Sequence, residues 1–162
     1  MGYKGKTTLT ELKRIFFVAK AVMIAAPVIC LLYVSMKASM NGVTVSVILN
    51  NEAGTTILLV NSLLNIYVTY LLHLAQNNLA QGKQLSAVTN MLILLFTQLL
   101  SRNIFGFFML AFVSQRSFSF YEISIKETVK NITLKQLLFD AGGSLIIVLL
   151  NCITLFATIK IM

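Results

Sequence analysis

Apolar residues fall in four long runs, at 15–36, 56–76, 87–113 and 144–161, separated by polar segments. A hydrocarbon core takes roughly 20 consecutive apolar helical residues to cross, so each run is predicted to be a transmembrane helix. The fold class expected is all-α integral membrane, a single membrane domain of four transmembrane helices in a bundle. The run at 87–113 has length to spare and carries Arg102 inside it. A guanidinium at that depth is costly, so an intramembrane Arg is by default a site or an assembly contact.

The polar segments predict the rest. Thr8 and Glu11 stand at capping-box spacing, so a helix should begin near Leu9. Lys20, early in the first run, can snorkel back to the surface, and Pro27 predicts a kink near the middle. Val43, Val45, Val47 and Leu49 alternate with small or polar neighbours at the period of a strand, and SFSFYEISI, 117–125, also reads as β-prone. With four spans these segments emerge on the same face, where they are candidates to pair as a small extracellular β element from 43–49 and 117–125. The NNLAQGKQLS segment, 77–86, reads as a tight connection. The stretch 126–140 reads as an amphipathic interfacial helix, with Gly142 and Gly143 as a hinge after it.

Composition narrows the setting. With 57% apolar and 11% charged residues the chain belongs to the membrane class. Thirteen Lys and Arg against five acids give a net charge of +8, which raises nucleic acid as a partner. The charges flank apolar runs instead of forming a stripe, so they read as membrane anchors and no nucleic-acid partner is expected. The most basic short segment is the N-terminal tail, with Lys4, Lys6, Lys13 and Arg14, which places it in the cytoplasm. Four spans then return the C-terminus to the cytoplasm, although Arg116, Lys126, Lys130 and Lys135 fall on the outer side, against the rule. The first run is too long for a signal-peptide core, and Lys6 breaks the myristoylation pattern. The setting expected is a bacterial plasma membrane.

Within the runs the polar residues are patterned. Asn61, Asn65, Thr69 and His73 recur every four residues and share one helix face. Gln98 and Arg102 belong to the third run, Asn151 to the fourth. At about 1.5 Å per residue, Asn61, Asn65, Asn151 and Arg102 all lie about 8–16 Å from the outer ends, which makes Arg102, Asn61, Asn65, Thr69, Gln98 and Asn151 the candidate binding cluster. No acid falls inside any run. Arg102 must therefore borrow amide oxygens from Asn65, Asn151 or Gln98, reach Asp140 or Glu122, or meet a partner outside the chain.

Motifs for chemistry are missing. There is no phosphate-cradling glycine loop, no HExxH, no paired carboxylate and no nucleophile elbow, and His73 is the single histidine. Cys30 and Cys152 differ in level by roughly 8 Å and are read as small hydrophobes, not a disulfide. Asn131-Ile132-Thr133 matches the glycosylation triplet, a pattern common by chance. No cofactor, no metal and no catalysis are expected. The function expected is an accessory, regulatory or immunity-type subunit that contacts a membrane-protein partner or a second copy of itself, with a transporter or channel subunit as the alternative.

Overall fold

The computed structural model describes residues 8–130 and 142–161, and these are helical throughout, with no strand among them. α1 runs Leu9–Met40 and its N-terminus carries the expected capping box: Thr8 Oγ1 accepts from the Glu11 amide at 3.2 Å and Glu11 Oε2 from the Thr8 amide at 2.8 Å. The buried residues Leu12, Phe16, Ala19, Met23, Pro27, Cys30, Val34 and Ala38 step by three and four, so a single stripe along the whole helix packs inward. Pro27 lies on that stripe and the helix continues through it. A short helix α2, Val45–Asn51, turns the chain into α3, Ala53–Ala80, which returns against α1.

α3 is the hub of the molecule. It packs on α1, on α2, on α4 (Gln84–Leu100) and on α7 (Gly142–Ile161). Small residues, among them Ala19, Ala75 and Ala87, are buried to near completeness in the shared core. That suits helices whose association rests on close van der Waals packing instead of on burial from water. Where α7 begins, a Cβ on Gly143 would stand 3.0 Å from both Leu71 Cδ2 and Tyr67 Oη.

Among the described residues three helices, α1, α3 and α7, are long and apolar enough to cross a membrane. The run at 87–113, expected as one helix, is two: α4 ends at Leu100 and α5, Ile104–Phe120, doubles back along it. Two observations fix this as a hairpin. α5 packs on α1, and Tyr121 at its end shares a small cavity with Leu9, Leu12, Gln76 and Leu79, at the start of α1 and the end of α3. The turn at Ser101, Arg102 and Asn103 lies instead beside Cys30, Asn61 and Asn65, well inside α1 and α3. The levels agree: α4 rises about 24 Å from Gln84 and Asn65 stands about 22 Å above Ala80, at 1.5 Å per residue.

The proposed β element is corrected on both sides. Residues 45–51 form α2, where Ile48 is buried against Cys30, Val34 and Ala38 with Val45 and Leu49 beside it, the i, i+3, i+4 spacing of a helix face. Residues 117–120 finish α5 and α6, Ile125–Lys130, follows within a few residues. The two segments also lie at opposite ends of α1, about 48 Å long by its residue count, so neither can supply the other's hydrogen bonds. The tight connection expected at 77–86 is tighter still, since only 81–83 lie between α3 and α4. Of the amphipathic helix expected at 126–140, the part from 131 onward, including Asn131-Ile132-Thr133, lies outside the described residues.

Candidate functional site

The hairpin turn is built by backbone geometry that usually belongs to glycine. At the end of α4 the Arg102 amide donates to the Leu99 carbonyl at 3.1 Å and the Asn103 amide to the Gln98 carbonyl at 2.9 Å. This paired closure requires a left-handed residue, and Arg102 takes that position at φ 55°. The same closure ends α1 at Gly42 (φ 65°) and α3 at Gly82 (φ 74°), and Glu122 (φ 54°) takes the left-handed position at the end of α5, where the Ile123 amide donates to the Phe118 carbonyl at 2.9 Å. For a side chain other than glycine's, the left-handed region costs roughly 1–2 kcal/mol.

Asn103 then starts the return helix. Its Oδ1 accepts from the Gly106 amide at 3.0 Å, while its Nδ2 donates to Gln98 Oε1 at 2.6 Å and reaches Asn65 Oδ1 at 3.4 Å. One amide thus caps α5, closes the hairpin onto α4 and ties the tip to α3. A Cβ at position 106 would collide with the Gln98 and Asn103 amides, so glycine is the residue that fits there.

Around the tip lies a cavity of about 540 Å³, lined by Cys30, Tyr33, Asn61, Asn65, Arg102 and Asn103 among others. Its rim is apolar and exposed: Ile29, Tyr33 and Leu58 lie on the outer flank of α1 and α3. Arg102 is exposed, and among the described residues nothing lies within hydrogen-bond reach of its guanidinium. Of the oxygens it was expected to borrow, those of Gln98 and Asn65 are taken by Asn103, and that of Asn151 is buried in α7, away from the cavity lining, with no partner among the described residues. The side-chain oxygen of Asn61 is buried and has no hydrogen-bond partner among the described residues.

Of the six residues expected to form one cluster, Arg102, Asn61 and Asn65 line this cavity. Gln98 stands behind it, buried and bonded to Asn103. Thr69 is a turn away, its hydroxyl bonded to the Asn65 carbonyl, and lines a second groove. Asn151 is buried in α7 and donates to the Ile147 carbonyl of its own helix, away from the cavity lining. Asn103 was missed, although an Asn three residues before a Gly, directly after Ser and Arg, is a readable helix start.

Two further polar contacts tie helix to helix. Lys37 near the end of α1 pairs with Glu52, which also accepts from the Thr55 hydroxyl at 2.6 Å. The Lys37 ammonium first, and Thr55 second, hold the Glu52 carboxyl below the ordinary carboxylate range. Near the opposite end Lys20 does not snorkel freely: its Nζ donates to Gln76 Oε1 at 2.8 Å and stands 3.4 Å from His73 Nδ1. Both cysteines are free, Cys30 buried and Cys152 exposed. Comparison with family models, curated proteins and solved structures finds no match.

Proposed function

We propose that this chain is a small integral membrane protein without catalysis, an accessory or regulatory subunit that holds another membrane protein by seating an acidic side chain of the partner on Arg102. The observation that carries this is the exposed guanidinium at the hairpin tip, with no acceptor among the described residues. The apolar rim of the cavity is suited to a partner helix, and the Asn61 amide, turned by half a rotation, would add a donor beside the arginine. A hairpin whose turn lies at membrane depth is tolerated where protein covers it, and a partner helix seated on the exposed rim would supply that cover.

The same geometry favours a topology. With α4 and α5 entering and leaving on one side, Lys83, Arg116, Lys126 and Lys130 join Lys13 and Arg14 on the face where α1 begins. The basic residues that opposed the orientation in a four-span arrangement then support it. The N-terminal face is cytoplasmic in this proposal, α7 makes the third crossing, and Lys160 lies on the far side.

The test is retention in mild detergent. Wild-type protein purified from its own membranes should carry a stoichiometric second protein that Arg102→Gln loses and Arg102→Lys partly keeps. Retention unchanged in Arg102→Gln would refute the docking role. A second reading, a conduit, is favoured by one observation: Asn61 and Asn65 line the tip cavity, Thr69 and His73 line the neighbouring groove, and the two meet at Ile29. A conduit would pass a solute in liposomes without any partner and lose that in Asn65→Leu.

A further inference from the structure

On the outer flank of α1 and α3, toward the end where α1 begins, lies a second groove of about 850 Å³. Its walls are apolar and open outward, with Phe17, Ile24, Val28, Ile66 and Tyr70 all at least half or nearly half exposed. The small residues Ala21 and Ala25 line it on α1. One end holds a polar cluster. Lys20 Nζ donates to Gln76 Oε1 at 2.8 Å and approaches His73 Nδ1 at 3.4 Å, and Asn77 Nδ2 stands 3.3 Å from His73 Nε2.

This cluster has more donors than acceptors. An ammonium offers three hydrogens and an imidazole ring cannot accept at both nitrogens while it carries a proton, yet no carboxylate comes within reach of Lys20 among the described residues. The missing acceptor is an anion. The length of the groove says which kind: from Lys20 to Ile29 it follows α1 for about 14 Å at 1.5 Å per residue, close to half of a hydrocarbon core about 30 Å thick. A cationic end at the boundary and an apolar trough one leaflet deep match a single phospholipid.

We infer that the α1–α3 groove binds one anionic phospholipid from the leaflet on the N-terminal side, its phosphate on Lys20 and Gln76 and an acyl chain along Ala21, Ala25 and Val28. The site is separate from Arg102 and does not depend on the docking role proposed for that residue.

Native mass spectrometry of the full chain, released from vesicles of equimolar phosphatidylglycerol and phosphatidylcholine, tests this. Wild type should keep a single phosphatidylglycerol in preference by on the order of fivefold, the worth of one cation at an anionic surface. Lys20→Met should bring the two lipids to parity and Lys20→Arg should restore the preference. Ala21→Phe, which fills the trough and leaves Lys20 in place, should also release the lipid. Lys83→Met, a basic residue outside the groove, should change nothing. Parity in wild type, an unchanged preference in Lys20→Met or Ala21→Phe, an equal loss in Lys83→Met, or displacement by soluble glycerol phosphate would each overturn the inference.

Discussion

Arg102 and Glu122 hold the left-handed backbone that Gly42 and Gly82 hold elsewhere in the same chain, and Arg102 also makes the same pair of closing hydrogen bonds. That is why the connection at Gly82 was legible in the sequence and the hairpin was not, while the end of α1 at Gly42 was expected earlier, at Met36. Leu99, Leu100, Ile104 and Phe105 keep the run apolar across the turn, and neither Gly nor Pro marks the break. The strain gives a prediction that separates fold from function. Glu122→Gly should stabilise the protein by roughly 0.5–1 kcal/mol in detergent unfolding, the left-handed cost less the entropy a glycine adds to the unfolded chain. Arg102→Gly should be no less stable than wild type and yet lose its partner; loss of stability there would make Arg102 a structural residue. Gly106→Ala should cost about 1–3 kcal/mol, because it drives apart the buried amide of Gln98 and the half-buried amide of Asn103.

Among elements, the ends of α1 behave differently. Its start was readable from Thr8 and Glu11 alone, because a capping box is a local contract between neighbours. Its far end is held by residues distant in sequence, Lys37 with Glu52 and Ile48 among Cys30, Val34 and Ala38, and no pattern of alternation could reveal that. The strand expected at 43–49 failed for that reason: Val45, Ile48 and Leu49 satisfy a helix period as well as a strand period, and the packing surface of α1 decides between them. Glu52 lies below the ordinary carboxylate range in the folded state, so its bond to Lys37 and Thr55 contributes at neutral pH and is lost as pH falls through the folded value, below the unfolded value of 4.5. Acid titration of thermal stability should show a fall in that window which Glu52→Gln removes; identical acid limbs would assign the fall to other carboxylates.

For the whole molecule, composition was enough to place the chain among membrane proteins, and α1, α3 and α7 are each long and apolar enough to cross. What composition could not fix is the number of crossings. A 27-residue apolar run can be one helix with length to spare or two helices that each fall short of the full core, and the difference is decided at three residues, 101–103. Half of the expected cluster survives that change: Asn61, Asn65 and Arg102 meet because the hairpin delivers its tip to the middle of α3, whereas Asn151 turns to its own helix. In a background lacking Cys30 and Cys152, the measurement that tests the hairpin most directly is labelling of single cysteines at 41, 83 and 126 by a membrane-impermeant thiol reagent in intact cells and in inverted vesicles. The hairpin predicts that Lys83→Cys and Lys126→Cys label from one side and Asn41→Cys from the other. Labelling of Lys126→Cys from the same side as Asn41→Cys would mean that the chain crosses between 83 and 126, and would contradict it.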